Sequence, residues 1–185
     1  MLNKFLKSFM QSPSLRSSYL IESSELSALL SSKAPLRLIN ATWYMPNMKR
    51  DAWQEHLEKR ITKDTVFFDH DEICDKTNPL PHTMPSLEVF TENMKKLGVS
   101  KDIPIVCYDN LGMFSVARTA WMLRYFGGNN VRILNGGMKK WEAEGNPTVG
   151  GEQVKHGECT GDEGDFGYTE KDSESCVMDI HGLMK

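Results

Sequence analysis

Short apolar runs alternate with amphipathic segments along the middle of the chain. Four runs, at residues 36–41, 65–68, 103–108 and 131–134, predict buried strands. Between them, apolar residues recur every three or four positions, which is the spacing of one helix face. These segments predict helices that begin near residues 23, 51, 86, 114 and 137. Strands that alternate with helices indicate an α/β domain with a mostly parallel, open sheet covered by helices on both faces.

Both ends of the chain differ in composition from residues 19–148, which we predict to form the folded domain. Residues 1–18 contain three basic residues, five serines and no acidic residue, and their apolar residues share one helix face. This composition is typical of a mitochondrial targeting segment. Residues 149–185 contain nine acidic residues against three lysines and are rich in glycine. Such a tail is predicted not to fold alone, and we expect both ends to contact other protein subunits.

Charge and cysteine spacing exclude several classes of protein. The formal net charge of −3 argues against a nucleic-acid-binding protein. No apolar run reaches the roughly 18 residues needed to cross a bilayer, so an integral membrane protein is not expected. The four cysteines include no Cys-x-x-Cys pair, and we expect neither a metal site nor a cofactor. Cys107 is expected to be a small buried residue of a strand, and Cys74 a solvated or half-buried loop thiol.

The loop after residue 108 is the candidate for chemistry. Ligands of open parallel sheets bind at the carboxyl ends of the strands, beside helix N-termini, and this loop joins the most apolar strand to a long helix. The loop residues are Asp109, Asn110, Leu111, Gly112, Met113 and Phe114.

Several motifs occur in one order along the chain. They read Ala-Thr-Trp-Tyr-Met-Pro at 41–46, Phe-Phe-Asp at 67–69, Tyr-Asp-Asn-Leu-Gly at 108–112 and Leu-Asn-Gly-Gly at 134–137. This series resembles the N-terminal, non-catalytic domain of the two-domain thiosulfate and 3-mercaptopyruvate sulfurtransferases, the rhodaneses. The resemblance covers about residues 19–148 and implies the rhodanese-like fold. It also implies that a persulfide-carrying cysteine would occupy the first loop position, where this chain has Asp109.

A carboxylate at that position leads to the hypothesis that the chain is not an enzyme. Asp109 cannot accept a sulfane sulfur, but its oxygens can accept the hydrogen bonds of the loop N–H groups. We therefore predict a catalytically inactive rhodanese-like accessory subunit of a mitochondrial assembly, for example a respiratory complex of the inner membrane. One alternative is a sulfurtransferase whose catalytic cysteine comes from a partner chain. Another is a sensor that binds a small anion in the loop without turnover.

Other residues are assigned structural roles. An asparagine in place of Asp109 is expected to serve nearly as well, because an amide oxygen also accepts hydrogen bonds. Arg118 and Arg124 are expected to pair with acidic residues on the helix surface. Adjacent glycines at 136 and 137 predict backbone with positive φ or very close packing. The tryptophans expected in the core are Trp43, Trp53, Trp121 and Trp141.

Overall fold

A computed structural model describes residues 19–151 and 167–170 of the chain. The predicted targeting segment 1–18 and most of the predicted tail lie outside the described residues. The strands are β1 Leu20–Ile21, β2 Arg37–Asn40, β3 Val66–Phe67, β4 Ile105–Tyr108 and β5 Val131–Leu134. The helices are α1 Ser23–Ser31, α2 Ala52–Glu58, α3 Leu87–Lys96, α4 Val116–Tyr125 and α5 Gly137–Ala143, with a 3-10 turn at Pro46–Met48.

The five strands form one sheet in the order β1-β5-β4-β2-β3, and every neighbouring pair is parallel. The predicted α/β fold with a parallel sheet is thereby confirmed. Strand β1 is the element that the apolar pattern does not predict. It pairs with β5 at the edge of the sheet.

Helices cover both faces of the sheet, as the continuous apolar strands predict. On one face, Phe90 and Met94 of α3 and Leu123 of α4 pack against the sheet. On the other face, Leu26 of α1 and Trp141 of α5 pack against it. Alternate residues of β4 point to opposite faces, so that this strand contributes to both cores.

Helix starts follow local chemistry in two of the predicted cases. Asp51 accepts a hydrogen bond from the N–H of Gln54 at 3.0 Å and begins α2, and Ser86 caps α3 in the same way. Helix α1 begins near residue 23 as predicted, but it has no such cap: Ser23 is its first helical residue and is buried, and the side chain of Glu22 before it makes no capping hydrogen bond. None of the helices within residues 19–151 and 167–170 has the length and apolar character needed to cross a membrane.

The tryptophans do not all lie in the core. Trp141 is fully buried, but Trp121 is 44% exposed, which contradicts its predicted place. It lies on the outer side of α4 and stacks on Tyr125, with ring centroids 5.4 Å apart. Trp43 and Trp53 are partly buried. An aromatic residue on an amphipathic helix can therefore sit beside the apolar face rather than within it.

Part of the predicted tail packs against the domain. The side chain of Tyr168 is 5% exposed, donates a hydrogen bond from its hydroxyl to the carbonyl of Val99 at 2.8 Å, and meets Phe90 edge-on. The N–H of Thr169 donates to the carbonyl of Phe126 at 3.1 Å. Closer to the predicted boundary, Val149 exchanges two backbone hydrogen bonds with Arg60. The acidic composition of the tail does not predict these contacts.

We expect Tyr168→Ala to lower the free energy of unfolding by about 3 kcal/mol, because it removes a buried aromatic ring from between α3 and the loop after it. Tyr168→Phe removes only the hydroxyl and should cost about 1 kcal/mol. Leu80→Ala, at a position that is 63% exposed, serves as the control. Urea unfolding measures all three, and a Tyr168→Ala variant as stable as the control would show that residues 167–170 do not belong to the domain.

Candidate active site

The carboxylate of Asp109 fills the loop at the carboxyl end of β4. One oxygen, Oδ1, accepts hydrogen bonds from the N–H groups of Leu111 at 2.9 Å and Gly112 at 2.7 Å. The other, Oδ2, accepts from the N–H groups of Ser115 at 2.9 Å and Val116 at 3.1 Å. Asp109 is fully buried. The expected hydrogen bonds between this carboxylate and the loop are therefore present, and the anion is part of the chain itself.

The start of α5 packs directly against the same loop. The N–H of Met138 donates to the backbone carbonyl of Asp109 at 2.9 Å. Gly136 and Gly137 have φ of +78° and +57°, as their adjacency predicts. A Cβ atom on Gly137 would collide with the carbonyl oxygen of Asp109 and lie 2.9 Å from that of Gly112. Only glycine allows this approach of two backbone segments.

The loop is also tied to the end of β2. The hydroxyl of Ser115 donates to the carbonyl of Ala41 at 2.6 Å and accepts from the N–H of Trp43 at 3.0 Å. The N–H of Asn110 donates to the hydroxyl of Thr42 at 3.0 Å. The two central strands thus end in one hydrogen-bonded unit, in which the loop cannot move without the segment 41–43.

Glu55 of α2 collects charge-assisted hydrogen bonds at the side of the loop. Arg50 donates two of them, both at 2.7 Å, Asn110 donates a third at 3.1 Å, and the Tyr44 hydroxyl donates a short fourth. Burial opposes ionisation of Glu55, but the bonds from Arg50, Tyr44 and Asn110 outweigh it and lower the pKa of the carboxyl. Burial, with Glu55 beside it, raises the pKa of Tyr44. Glu55 therefore stays ionised and fixes the Asn110 side chain.

Exposed apolar side chains surround the mouth of the loop. Met113 is 45% and Phe114 is 52% exposed. The Phe114 ring stacks on Trp43 with centroids 6.5 Å apart, and Trp43 meets the ring of His82 edge-on at 4.8 Å. We call Trp43, Met113 and Phe114 the aromatic rim.

A histidine–aspartate pair lies next to the aromatic rim, and sequence reasoning missed it. His82 Nε2 and Asp71 Oδ1 are 2.6 Å apart, and the indole N–H of Trp43 donates to the other oxygen of Asp71 at 3.3 Å. The two residues are separated by 11 positions in a proline-containing loop without regular structure. An aspartate that accepts one ring N–H of a histidine fixes the orientation and the tautomer of the ring. We call His82 and Asp71 the dyad.

The two described cysteines are both buried. Cys107 lies within β4 as expected, and burial raises the pKa of its thiol far above the usual range. Cys74 is 7% exposed and donates a hydrogen bond to the carbonyl of Asp71 at 3.1 Å, so its predicted solvated position is wrong. Neither thiol faces the loop chemistry described above.

Gly137→Ala should lower the free energy of unfolding by about 3 kcal/mol, because it adds a collision to an unfavourable backbone conformation. Gly145→Ala is a matched control: Gly145 has φ of +73°, but a Cβ atom added to it would have no neighbour within 4 Å. This control should cost only about 1 kcal/mol. Equal thermal midpoints for the two variants would contradict the close approach of α5 to the loop.

The stability of the loop should depend on both oxygens of Asp109, contrary to the expectation that asparagine would serve nearly as well. In Asp109→Asn, the amide nitrogen would face two N–H donors, and we expect a loss of about 2 to 4 kcal/mol. In Asp109→Ala, added sulfate should raise the thermal midpoint by refilling the vacated donors. The wild-type chain is the control, and an equal response to sulfate in both proteins would contradict a filled loop.

Comparison with known proteins places sulfurtransferases among the relatives. The chain is 40% identical over 110 residues to the mitochondrial thiosulfate/3-mercaptopyruvate sulfurtransferase 1 of Arabidopsis thaliana, matching 60% of this chain and 29% of that protein. It is 39% identical over 119 residues to human 3-mercaptopyruvate sulfurtransferase, matching 63% of this chain and 40% of that protein. The chain thus spans well under half the length of these relatives.

Solved structures agree with the fold. The Escherichia coli 3-mercaptopyruvate sulfurtransferase SseA is 28% identical and superposes with a TM-score of 0.78, over 91% of this chain and 61% of that one. The sulfur transferase subunit of yeast mitochondrial complex I, described as sub-stoichiometric, is 40% identical with a TM-score of 0.58, over 64% of this chain and 39% of that one. The Arabidopsis and yeast proteins agree with the mitochondrial localisation that residues 1–18 predict.

The prediction that the chain is not an enzyme is contradicted by these relatives. Proteins 38–43% identical to it are named as sulfurtransferases. The prediction failed because it judged a whole protein by Asp109, one residue of one loop. The matched region is only 29% to 40% of the Arabidopsis, human and chicken proteins, so the group that accepts sulfur need not lie in it.

The family assignment rests on a match that spans both cores of the fold. A sequence model of the family described as rhodanese-like domain matches residues 36–144, which is more than half of the chain. The match runs from the start of β2 to the end of α5 and includes the whole loop that holds Asp109. The chain therefore belongs to the rhodanese-like domain family.

Proposed function

We propose that this chain is one half of a sulfurtransferase that takes sulfur from 3-mercaptopyruvate. The sulfur-accepting cysteine lies in a second rhodanese domain, carried by a partner chain or by another part of a longer polypeptide. This chain supplies a proton-transferring dyad and the wall against which the second domain closes. The single observation that carries the proposal is the contact between His82 and Asp71 beside the aromatic rim.

The loop of this domain supports such a division of labour. The four N–H groups that could stabilise an anionic sulfur already bind the carboxylate of Asp109. The persulfide is therefore formed elsewhere, and the loop acts as a rigid platform. The exposed Met113 and Phe114 provide apolar surface for contact with the second domain.

The dyad favours 3-mercaptopyruvate over thiosulfate as the sulfur donor. In transfer from 3-mercaptopyruvate, a cysteine thiolate attacks the mercapto sulfur, the carbon–sulfur bond breaks, and its electron pair stays on carbon as the enolate of pyruvate. The mercapto proton leaves the transferred sulfur and a proton is added to carbon, which yields a persulfide anion and pyruvate. Transfer from thiosulfate expels sulfite and moves no proton.

His82 can carry that proton because of its surroundings. Its Nε2 is hydrogen-bonded to Asp71, which leaves Nδ1 to accept a proton from sulfur and return it to carbon. The Asp71 carboxylate holds the ring in the tautomer in which Nδ1 is the acceptor. The side chain of His82 is 24% exposed, so a substrate at the rim can reach it.

The setting that we propose is the mitochondrion, in contact with other proteins. The N-terminal composition and the names of the Arabidopsis and yeast relatives support this location. The structural relative that is a subunit of complex I supports an association with a larger assembly. Residues 1–18, 152–166 and 171–185 are the segments that we propose for these contacts, because residues 149–151 and 167–170 adjoin the domain of this chain itself.

The test combines this chain with the part of human 3-mercaptopyruvate sulfurtransferase that the chain does not match. Pyruvate formation from 3-mercaptopyruvate is expected only when both parts are present. His82→Gln should lower kcat with 3-mercaptopyruvate about 100-fold or more and leave the thiosulfate reaction much less affected. Glu72→Gln, in the same loop but paired with Lys76 outside the dyad, is the control. Equal losses of kcat in His82→Gln with 3-mercaptopyruvate and with thiosulfate would refute proton transfer by His82. If the combined wild-type parts formed no pyruvate, the two-part enzyme would be refuted.

A further inference from the structure

We infer that Arg118 and His70 are positioning residues, which together hold the loop that carries His82 against α4. The inference rests on the proposed function, because it concerns the placement of the dyad. It adds two residues that take no part in the proton transfer itself. Their role is to fix the backbone on which the catalytic ring is mounted.

Arg118 reaches from α4 into the loop and binds three of its carbonyls. Its Nη2 donates to the carbonyl of His82 at 3.0 Å, to that of Thr83 at 3.3 Å and to that of Ile73 at 3.4 Å. These carbonyls lie near both ends of the segment between Asp71 and His82. One guanidinium therefore joins the two backbone regions that must stay close for the dyad to exist.

The second guanidinium nitrogen is held by His70. Arg118 Nη1 lies 3.1 Å from His70 Nδ1, and His70 Nε2 lies 2.9 Å from the carbonyl of Ala41. Because that carbonyl can only accept, Nε2 carries the proton and Nδ1 is the acceptor for Arg118. Burial lowers the pKa of His70 to about 4, so the ring is neutral near pH 7 and can accept from a cation.

A neutral histidine suits Arg118 better as a hydrogen-bond acceptor than a carboxylate would, for a geometric reason. Within residues 19–151 and 167–170, no acidic side chain forms an ion pair with Arg118 or Arg124, which contradicts their predicted surface pairing. A carboxylate would compete for both guanidinium nitrogens of Arg118 through a bidentate contact. A single ring nitrogen binds only one of them and leaves Nη2 to the loop carbonyls. His70 thus directs the guanidinium instead of neutralising it.

Arg118 adds to the hydrogen bonds that the loop makes within itself, such as the two between Asp75 and Thr83 at 3.4 Å and 3.2 Å. Residues 69–85 contain no helix or strand, and His82 adopts a left-handed φ of +57°, which is unfavourable for a residue with a side chain. The carbonyl of His82 is the group that Arg118 Nη2 binds most closely. The Ala41 carbonyl that accepts the hydrogen bond from His70 also accepts one from Ser115, which connects Arg118 and His70 to the loop at Asp109.

The test measures the position of the His82 ring in the full chain by NMR, through cross-relaxation between its ring protons and those of Trp43. We expect these cross-peaks in the wild-type chain, where the rings are 4.8 Å apart. Arg118→Lys keeps the positive charge but loses the two guanidinium nitrogens that donate in different directions, and it should abolish these cross-peaks. His70→Leu should abolish these cross-peaks as well. His70→Gln, whose amide can both donate to Ala41 and accept from Arg118, should retain them.

Arg124→Lys is the matched control, because Arg124 also lies on α4 and also donates to a backbone carbonyl, that of Val131. It should leave the cross-peaks between His82 and Trp43 unchanged. Cross-peaks that persist in Arg118→Lys and His70→Leu would overturn the inference, as would their loss in Arg124→Lys or a failure of His70→Gln to retain them. Their absence from the folded wild-type chain would also overturn it.

Kinetics of the two-part enzyme separate this inference from the proposed function. There, His70→Leu should lower kcat about 10-fold or more at an unchanged KM, and His70→Gln should recover most of the loss. If the wild-type parts form no pyruvate, the proposed function fails, while the NMR comparison still decides whether Arg118 and His70 position His82. If turnover is present and His70→Leu matches the wild type, the positioning role fails alone.

Discussion

Four backbone N–H groups converge on the end of β4, and this convergence constrains everything around it. Buried donors must be bound, and here the Asp109 carboxylate binds all four. The loop is therefore closed upon itself, and α4 can begin directly at its end. The backbone of Asp109 then receives α5 through Met138, so that one residue connects the central strand to helices on both faces.

That Asp109 occupies the N–H groups of the loop excludes activity only if the whole active site lies in this chain. Judged alone, Asp109 removes the position at which sulfur would be held, which is why sequence reasoning predicted an inactive subunit. The surface beside the loop carries the hydrogen-bonded pair of His82 and Asp71 together with exposed apolar side chains, and these are the features on which the proposed function rests. The relatives named as sulfurtransferases are more than twice as long as the region that they share with this chain.

The sequence predicts the elements much better than it predicts the dyad. Apolar runs locate four of the five strands, and the helical spacing of apolar residues locates all five helices. The Asp109 loop is also predictable, since it follows the most apolar strand. No sequence pattern indicates that His82 and Asp71 lie together. The loop that brings them together has no regular structure, and the carbonyls that Arg118 binds belong to the backbone, which is the same for every residue type. The exposure of Trp121 and the burial of Tyr168 are also not predictable from the local sequence, because residues far away along the chain decide what covers each side chain.

The burial of Cys107 and Cys74 has a chemical consequence under the proposal that the chain is one half of a sulfurtransferase. Persulfides exchange with any accessible thiolate, and a stray acceptor near the site would divert the transferred atom. Cys107 is fully enclosed and resists ionisation, and Cys74 is enclosed by the loop that carries the dyad. In the described part of this chain, both thiols are thereby kept out of such an exchange.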